Sequence, residues 1–195
     1  MPVFRRRPIP ARWRAARRVG LAAQPGLLRL QQAHRLMAEG AYVQAAAVFA
    51  ELSDDAAVHA VPRSAQLSIQ AGRAWVMAGD LPKGCQRLLL GLTRMGEMGQ
   101  AGRMPMVASR LLAELRARGF EADAHTLQTE LMERFPGLQI PAPGPGAASG
   151  GAAQARRLPA KCPYCGGNIN PELVDWLDEN SAACEYCGST LQTDE

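Results

Sequence analysis

Aromatic residues make up only 5% of this 195-residue chain. That scarcity argues against a β-sandwich, whose strands draw on aromatic and β-branched side chains. The 47% of apolar residues must be mostly Ala, Leu, Val and Met, which suit close-packed helices. No run reaches the ~18 apolar residues of a membrane-spanning helix. The N-terminus has arginines but no apolar segment behind them, so no secretory signal is expected. Catalytic groupings are missing as well. His34, His59 and His125 are scattered, no nucleophile set accompanies them, and Asp54-Asp55 and Asp178-Glu179 fall in turn-like contexts. GEMGQAG has the wrong glycine spacing for a dinucleotide loop. No enzyme is expected.

What is there begins with cysteine. Cys162-Pro-Tyr-Cys165-Gly is followed, eighteen residues on, by Cys184-Glu-Tyr-Cys187-Gly. Four thiolates in two such pairs can close tetrahedrally on one structural zinc ion, leaving no open position for substrate. Metal-binding cysteines point to a reducing cytoplasm. Two other chemistries use similar pairs: a mononuclear iron site, which needs a larger aromatic core, and a redox dithiol, which needs one pair at a helix start. Gly166 and Gly167 allow a tight turn, with Gly188 repeating the role after the second pair. Strands are expected over 168–170 and 173–177, with a turn at 178–181. This tail resembles a zinc ribbon, with a small core of Ile169, Val174, Trp176 and Leu191 that the metal must supplement. The fifth cysteine, Cys85, lies in an apolar helical run and reads as an inert buried thiol.

From 25 to 137 apolar residues recur at helical spacing in three successive units. Each unit is broken by a glycine, at Gly40, Gly79 and Gly119, spaced 39 and 40 residues apart. Each glycine can take the left-handed conformation that ends a helix. Loops are expected over SDDAAVHAVP and GEMGQAGRMP. The units resemble tetratricopeptide repeats: unit one has Ala33, Gly40, Tyr42, Ala45, Phe49 and Leu52, unit two Gly72, Gly79, Leu81, Gly84 and Leu88, and unit three Gly119, Ala124, Leu131 and Pro136. Unit three departs from the pattern with Leu112 where a small residue is usual. The fold class is therefore mostly α: a solenoid of about three helical hairpins, a flexible linker and a small β zinc ribbon.

The resemblance implies a concave groove lined by the first helix of each unit, where a peptide or partner helix binds. Its positions map to Leu27, Leu30, His34 and Met37, then Gln66, Ile69, Arg73 and Met77, then Met106, Ser109, Ala113 and Arg116. The lysine–asparagine set with which some family members clamp a C-terminal carboxylate is absent, with Leu30 and His34 in its place.

Charge is distributed unevenly. Residues 1–35 carry nine arginines and no acid, whereas 160–195 carry seven acids and one lysine. The arm, 1–24, includes Arg5, Arg6, Arg7, Arg12, Trp13, Arg14, Arg17 and Arg18 and suits an acidic partner, an anionic surface or nucleic acid. The acidic ribbon, 160–195, would repel phosphate and suits a basic protein surface. A Pro/Gly/Ala-rich linker, 138–159, joins it to the helices. The reading is a cytoplasmic, non-catalytic adaptor or scaffold that binds protein partners within a larger complex. Its rivals are a nucleic-acid-associated factor and peripheral membrane attachment, both through the arm.

Overall fold

The computed structural model describes residues 11–59, 61, 63–141, 158–171, 174–176, 179–184, 186, 187 and 189–193, with 11–24, 175 and 183 as backbone alone. Six helices come first: α1 (Ala11–Ala38), α2 (Tyr42–Val58), α3 (Arg63–Met77), α4 (Leu81–Glu97), α5 (Met104–Ala117) and α6 (Glu121–Arg134). They form three hairpins, and neighbouring helices pack together along the chain. None is long and apolar enough to cross a membrane among the described residues. The three turn glycines behave as the sequence predicts, with φ of 77° at Gly40, 86° at Gly79 and 87° at Gly119. At each, the next amide reaches back to a carbonyl of the preceding helix, as in Ala41 N to Leu36 O at 2.9 Å.

α3 and α4 approach closely because glycine occupies their crossing. A Cβ at Gly91 would lie 2.9 Å from the Ala65 carbonyl oxygen, and one at Gly84 would lie 2.6 Å from a Val76 methyl. Two helix boundaries differ from expectation. α1 runs through Pro25, losing one backbone hydrogen bond there. α2 continues through Ser53-Asp54-Asp55 to Val58, where a loop was expected. Its polar residues are satisfied by neighbours rather than by a turn. Ser53 is buried and its hydroxyl donates to the Ser64 carbonyl at 2.9 Å. Asp54 accepts two bonds from Arg87, at 2.9 and 3.0 Å, and one from Arg94 at 3.1 Å.

Two cores share the helices. One gathers α3 to α6 around Ile69, Leu88, Leu92, Leu111, Leu112, Leu127 and Leu131. The linker does not begin free of it: Leu138 and Ile140 pack against this core, and Ser109 Oγ donates to the Pro141 carbonyl at 2.8 Å. Residues 142–157 of the expected linker lie outside the described residues. The other core joins α1, α2 and α3 to the tail, in which β1 (Asp175–Trp176), β2 (Ser181–Ala183) and β3 (Thr190–Gln192) form an antiparallel sheet in the order β1-β2-β3. Trp176 faces Ala182 in register, and Ala182 faces Leu191. No strand forms over 168–170; Asn168 makes one isolated bridge to Lys161. Asparagines flank Ile169 and Pro171 follows with no amide to donate, so the segment turns rather than pairs.

The Arg87 guanidinium beside Asp54 holds its carboxyl below the usual carboxylate range. A depressed folded-state pKa means the contribution is present above the unfolded value of about 3.9 and fades as pH falls through the folded one. Asp54 is 48% exposed, so solvent screening limits the contribution to about 1 kcal/mol. Asp54→Asn is expected to lower urea-unfolding stability by about 1 kcal/mol at neutral pH, with the gap narrowing between about pH 5 and 3. A gap independent of pH would show that charge is not its source.

Candidate metal centre

Each cysteine pair is bent into a knuckle by its own backbone. In the first, Gly166 N donates to Cys162 O at 2.9 Å and Cys162 N to Gly167 O at 2.8 Å, with Gly166 at φ 75°. In the second, Cys184 N donates to Ser189 O at 2.9 Å. Gly188, expected to repeat the role of Gly166, lies outside the described residues. The two knuckles meet, and the ligand atoms of Cys162, Cys165, Cys184 and Cys187 all lie within 4.8 Å of one another. Across the knuckles, Cys162 Sγ is 3.6 Å from Cys187 Sγ and Cys165 Sγ is 3.8 Å from Cys184 Sγ. Sulfurs held at 2.3 Å around a tetrahedral ion stand about 3.8 Å apart, whereas a disulfide requires about 2.05 Å. None of the four is in a disulfide.

The donor set therefore fits one metal ion. Contact with the Cys184 sulfur, then with Cys187, and then burial push the Cys165 thiol up. Four crowded sulfurs cannot all ionise unless a cation at their centre offsets the repulsion. Cys162, Cys165 and Cys184 are buried and Cys187 is half-buried.

The cluster is not suspended from the helices by a tether; it is packed onto them. Tyr186, between the two cysteines of the second knuckle, is 6% exposed. Its ring meets His34 edge-on, with centroids 5.0 Å apart at 77°, and His34 in turn meets Phe49 at 5.2 Å and 74°. Gln70 Nε2 donates to the Tyr186 hydroxyl at 3.0 Å. On the first knuckle, Gln31 donates to the Tyr164 carbonyl. Gly167 permits this approach: a Cβ there would lie 2.5 Å from the Tyr186 ring and 2.9 Å from His34 Nε2. Burial pushes the His34 imidazole down to about 4, with the Cys187 charge opposing. Its Nε2 is buried with no hydrogen-bond partner among the described residues.

The expected groove residues fall into different settings. Leu30 and His34 lie under the cysteine module, while Leu27 and Met37 pack at the edge of the same core. On α3, Gln70 bonds Tyr186 and Leu67 lines a cavity with it, while Ala71 and Ala74 belong to the same core. Ile69 is instead buried between α3 and the later helices, and Arg73 pairs with Glu114 at 3.1 Å. Gln66, Met77 and Ala113 are half-buried and Met106 is exposed. Ser109 is held by Pro141, and Arg116 bonds Glu121 and Gln128. Arg5, Arg6 and Arg7 lie outside the described residues. Arg12, Trp13, Arg14, Arg17 and Arg18 fall on the backbone of α1, and their side chains also lie outside.

Sequence reasoning missed Tyr186. The two knuckles look alike, Cys-Pro-Tyr-Cys and Cys-Glu-Tyr-Cys, yet Tyr164 is 50% exposed while Tyr186 is seated. A cavity of about 480 Å³ remains beside the seat, lined by residues including Leu27, Leu30, Ala56, Leu67, Tyr186 and Cys187. No family model, curated protein or solved structure matches the chain. Fold and site together define the class: a mostly helical chain of three hairpins whose C-terminal cluster of four cysteines could hold a metal ion.

Tyr186→Phe keeps the ring but leaves the buried Gln70 amide without this partner, which costs about 1–3 kcal/mol. Its urea midpoint is expected to fall accordingly with an unchanged slope. A midpoint equal to the parent's would show that the hydroxyl contact holds nothing.

Proposed function

We propose that this chain is a non-catalytic adaptor: a tetratricopeptide-like array whose concave face is closed by its own structural zinc ribbon. The observation that carries the reading is Tyr186, seated by Gln70 and His34 on the first helices of two successive hairpins. Those helices supply the surface with which tetratricopeptide arrays commonly take a partner. Zinc is the ion for this donor set because four thiolates in a closed tetrahedron suit a soft, redox-inert cation. The metal's role is to fix the knuckles, and through them the position of Tyr186; no step of chemistry is assigned to it.

Self-occupation changes how a partner protein reaches the groove. The parts of α1 and α3 under the ribbon, Leu30 and Leu67 among them, become available when the ribbon leaves. A partner that brings its own aromatic anchor to His34 and Gln70 competes with Tyr186 for the same seat. Chain geometry allows the exchange, because residues 142–157 joining array to ribbon span up to about 50 Å when extended.

The test is metal content together with groove exposure. The purified, reduced chain is expected to carry one zinc per molecule. A strong chelator is then expected to raise binding of an apolar-surface dye, as Leu30 and Leu67 are uncovered, and Cys184→Ser to give the same rise without chelator. No bound zinc in the parent chain would end the zinc reading. Bound zinc whose removal leaves dye binding unchanged would end the closed-groove reading.

A further inference from the structure

Among the described residues, Cys187 and Cys85 each border a cavity, and their surroundings differ. Cys187 lines the cavity of about 480 Å³ between α1, α2, α3 and the second knuckle. Of the four clustered cysteines it is the half-buried one. Cys85 lines a second cavity, about 390 Å³, between α4 and α6, together with Asp123 and Glu130. Burial, and then these two carboxylates, push the Cys85 thiol up and keep it in its poorly nucleophilic protonated form. Cys162 Sγ, 3.6 Å from Cys187 Sγ, is placed to attack whatever forms on Cys187.

We propose that Cys187 is an oxidation site for small hydroperoxides, which reach it through the apolar cavity, and that Cys162 resolves the product as a disulfide. The proposal rests on the metal reading for its consequence, though not for its chemistry. The Cys187 thiolate attacks one peroxide oxygen, the O–O bond breaks, and the other oxygen takes a proton and leaves as water or, from an organic peroxide, as the alcohol. Cys187 is thereby oxidised by two electrons to the sulfenic acid and the peroxide is reduced. The Cys162 thiolate then attacks the Cys187 sulfur and displaces hydroxide, which is protonated to water, leaving the Cys162–Cys187 disulfide. Closing the sulfurs from 3.6 Å to about 2.05 Å removes two of the four donors. The ion is released, and the turn that holds Tyr186 against Gln70 is redrawn. The oxidised chain opens the face that the reduced chain keeps closed, and thiol reductants reverse the step.

The experiment treats the intact, zinc-loaded chain with hydrogen peroxide in the presence of a sulfenate-trapping diketone. Mass mapping locates the adduct and a chromogenic chelator follows released zinc. The expected result is adduct on Cys187 first, at least tenfold faster than on Cys85, and without the trap a Cys162–Cys187 disulfide with zinc released in step. Because Cys187→Ser removes a ligand and can unfold the module, the second variant is Ala56→Phe, which fills the cavity from α2. It is expected to slow Cys187 oxidation at least fivefold while leaving Cys85 alkylation unchanged. Oxidation spread evenly over the four cysteines, first appearance at Cys85, a disulfide within one knuckle, or an Ala56→Phe rate equal to the parent's would each overturn the proposal. If a mercurial releases no zinc from untreated protein, the metal reading fails by itself. Trapping on the metal-free chain then still decides whether Cys187 reacts first.

Discussion

The structure depends on one seat: an aromatic ring carried between two clustered cysteines, lodged on the first two helical hairpins. Tyr186 touches His34, accepts from Gln70 and packs against Gly167. These contacts tie three separate parts of the chain, at 34, 70 and 162–187, into one core. A small sheet of three short strands has too little apolar area to be stable by itself. Two sources supplement it: the closed sulfur cluster from within, and the shared core with α1 and α3 from outside. The two are coupled because the residue that docks lies between two of the four clustered cysteines.

Coupling of this kind sets how stability is distributed. α3 belongs to both cores, through Ile69 on one side and Leu67, Ala71 and Ala74 on the other. Its close crossing with α4, at Gly84 and Gly91, leaves no room for a side chain between these two helices. α1 has less to hold it. Its described side chains reach α2 through Ala33, Phe49 and the Arg29 ion pairs with Glu51 and Asp55, and reach the tail through Leu30, Gln31 and His34. Removing the tail therefore takes from α1 a large part of what orders it.

Much of this was legible in the sequence. Helical periodicity placed the six helices, and glycines spaced 39 and 40 residues apart placed the turns, because only a left-handed residue ends a helix so tightly. The pairs of cysteines named the four sulfurs, since no other arrangement of these thiols is so constrained in spacing. The rest depended on long-range contacts that local pattern does not record. α2 runs through Asp54 because Arg87 and Arg94 lie opposite it, some thirty to forty residues later. The helical face read as an open groove is partly covered, since nothing in Cys-Glu-Tyr-Cys distinguishes its tyrosine from that of Cys-Pro-Tyr-Cys until the array is folded. Scarcity was the available signal: in a chain with three tyrosines, two sit inside metal-type knuckles.

The most direct measurement of the account is amide hydrogen exchange on the whole chain before and after metal removal. If the sulfur cluster fixes the docking residue, protection is lost together in the tail and in the α1 and α3 segments beneath it, around 30–34 and 67–74, while α5 and α6 keep theirs. Loss confined to the tail, with 30–34 and 67–74 exchanging as before, would contradict it.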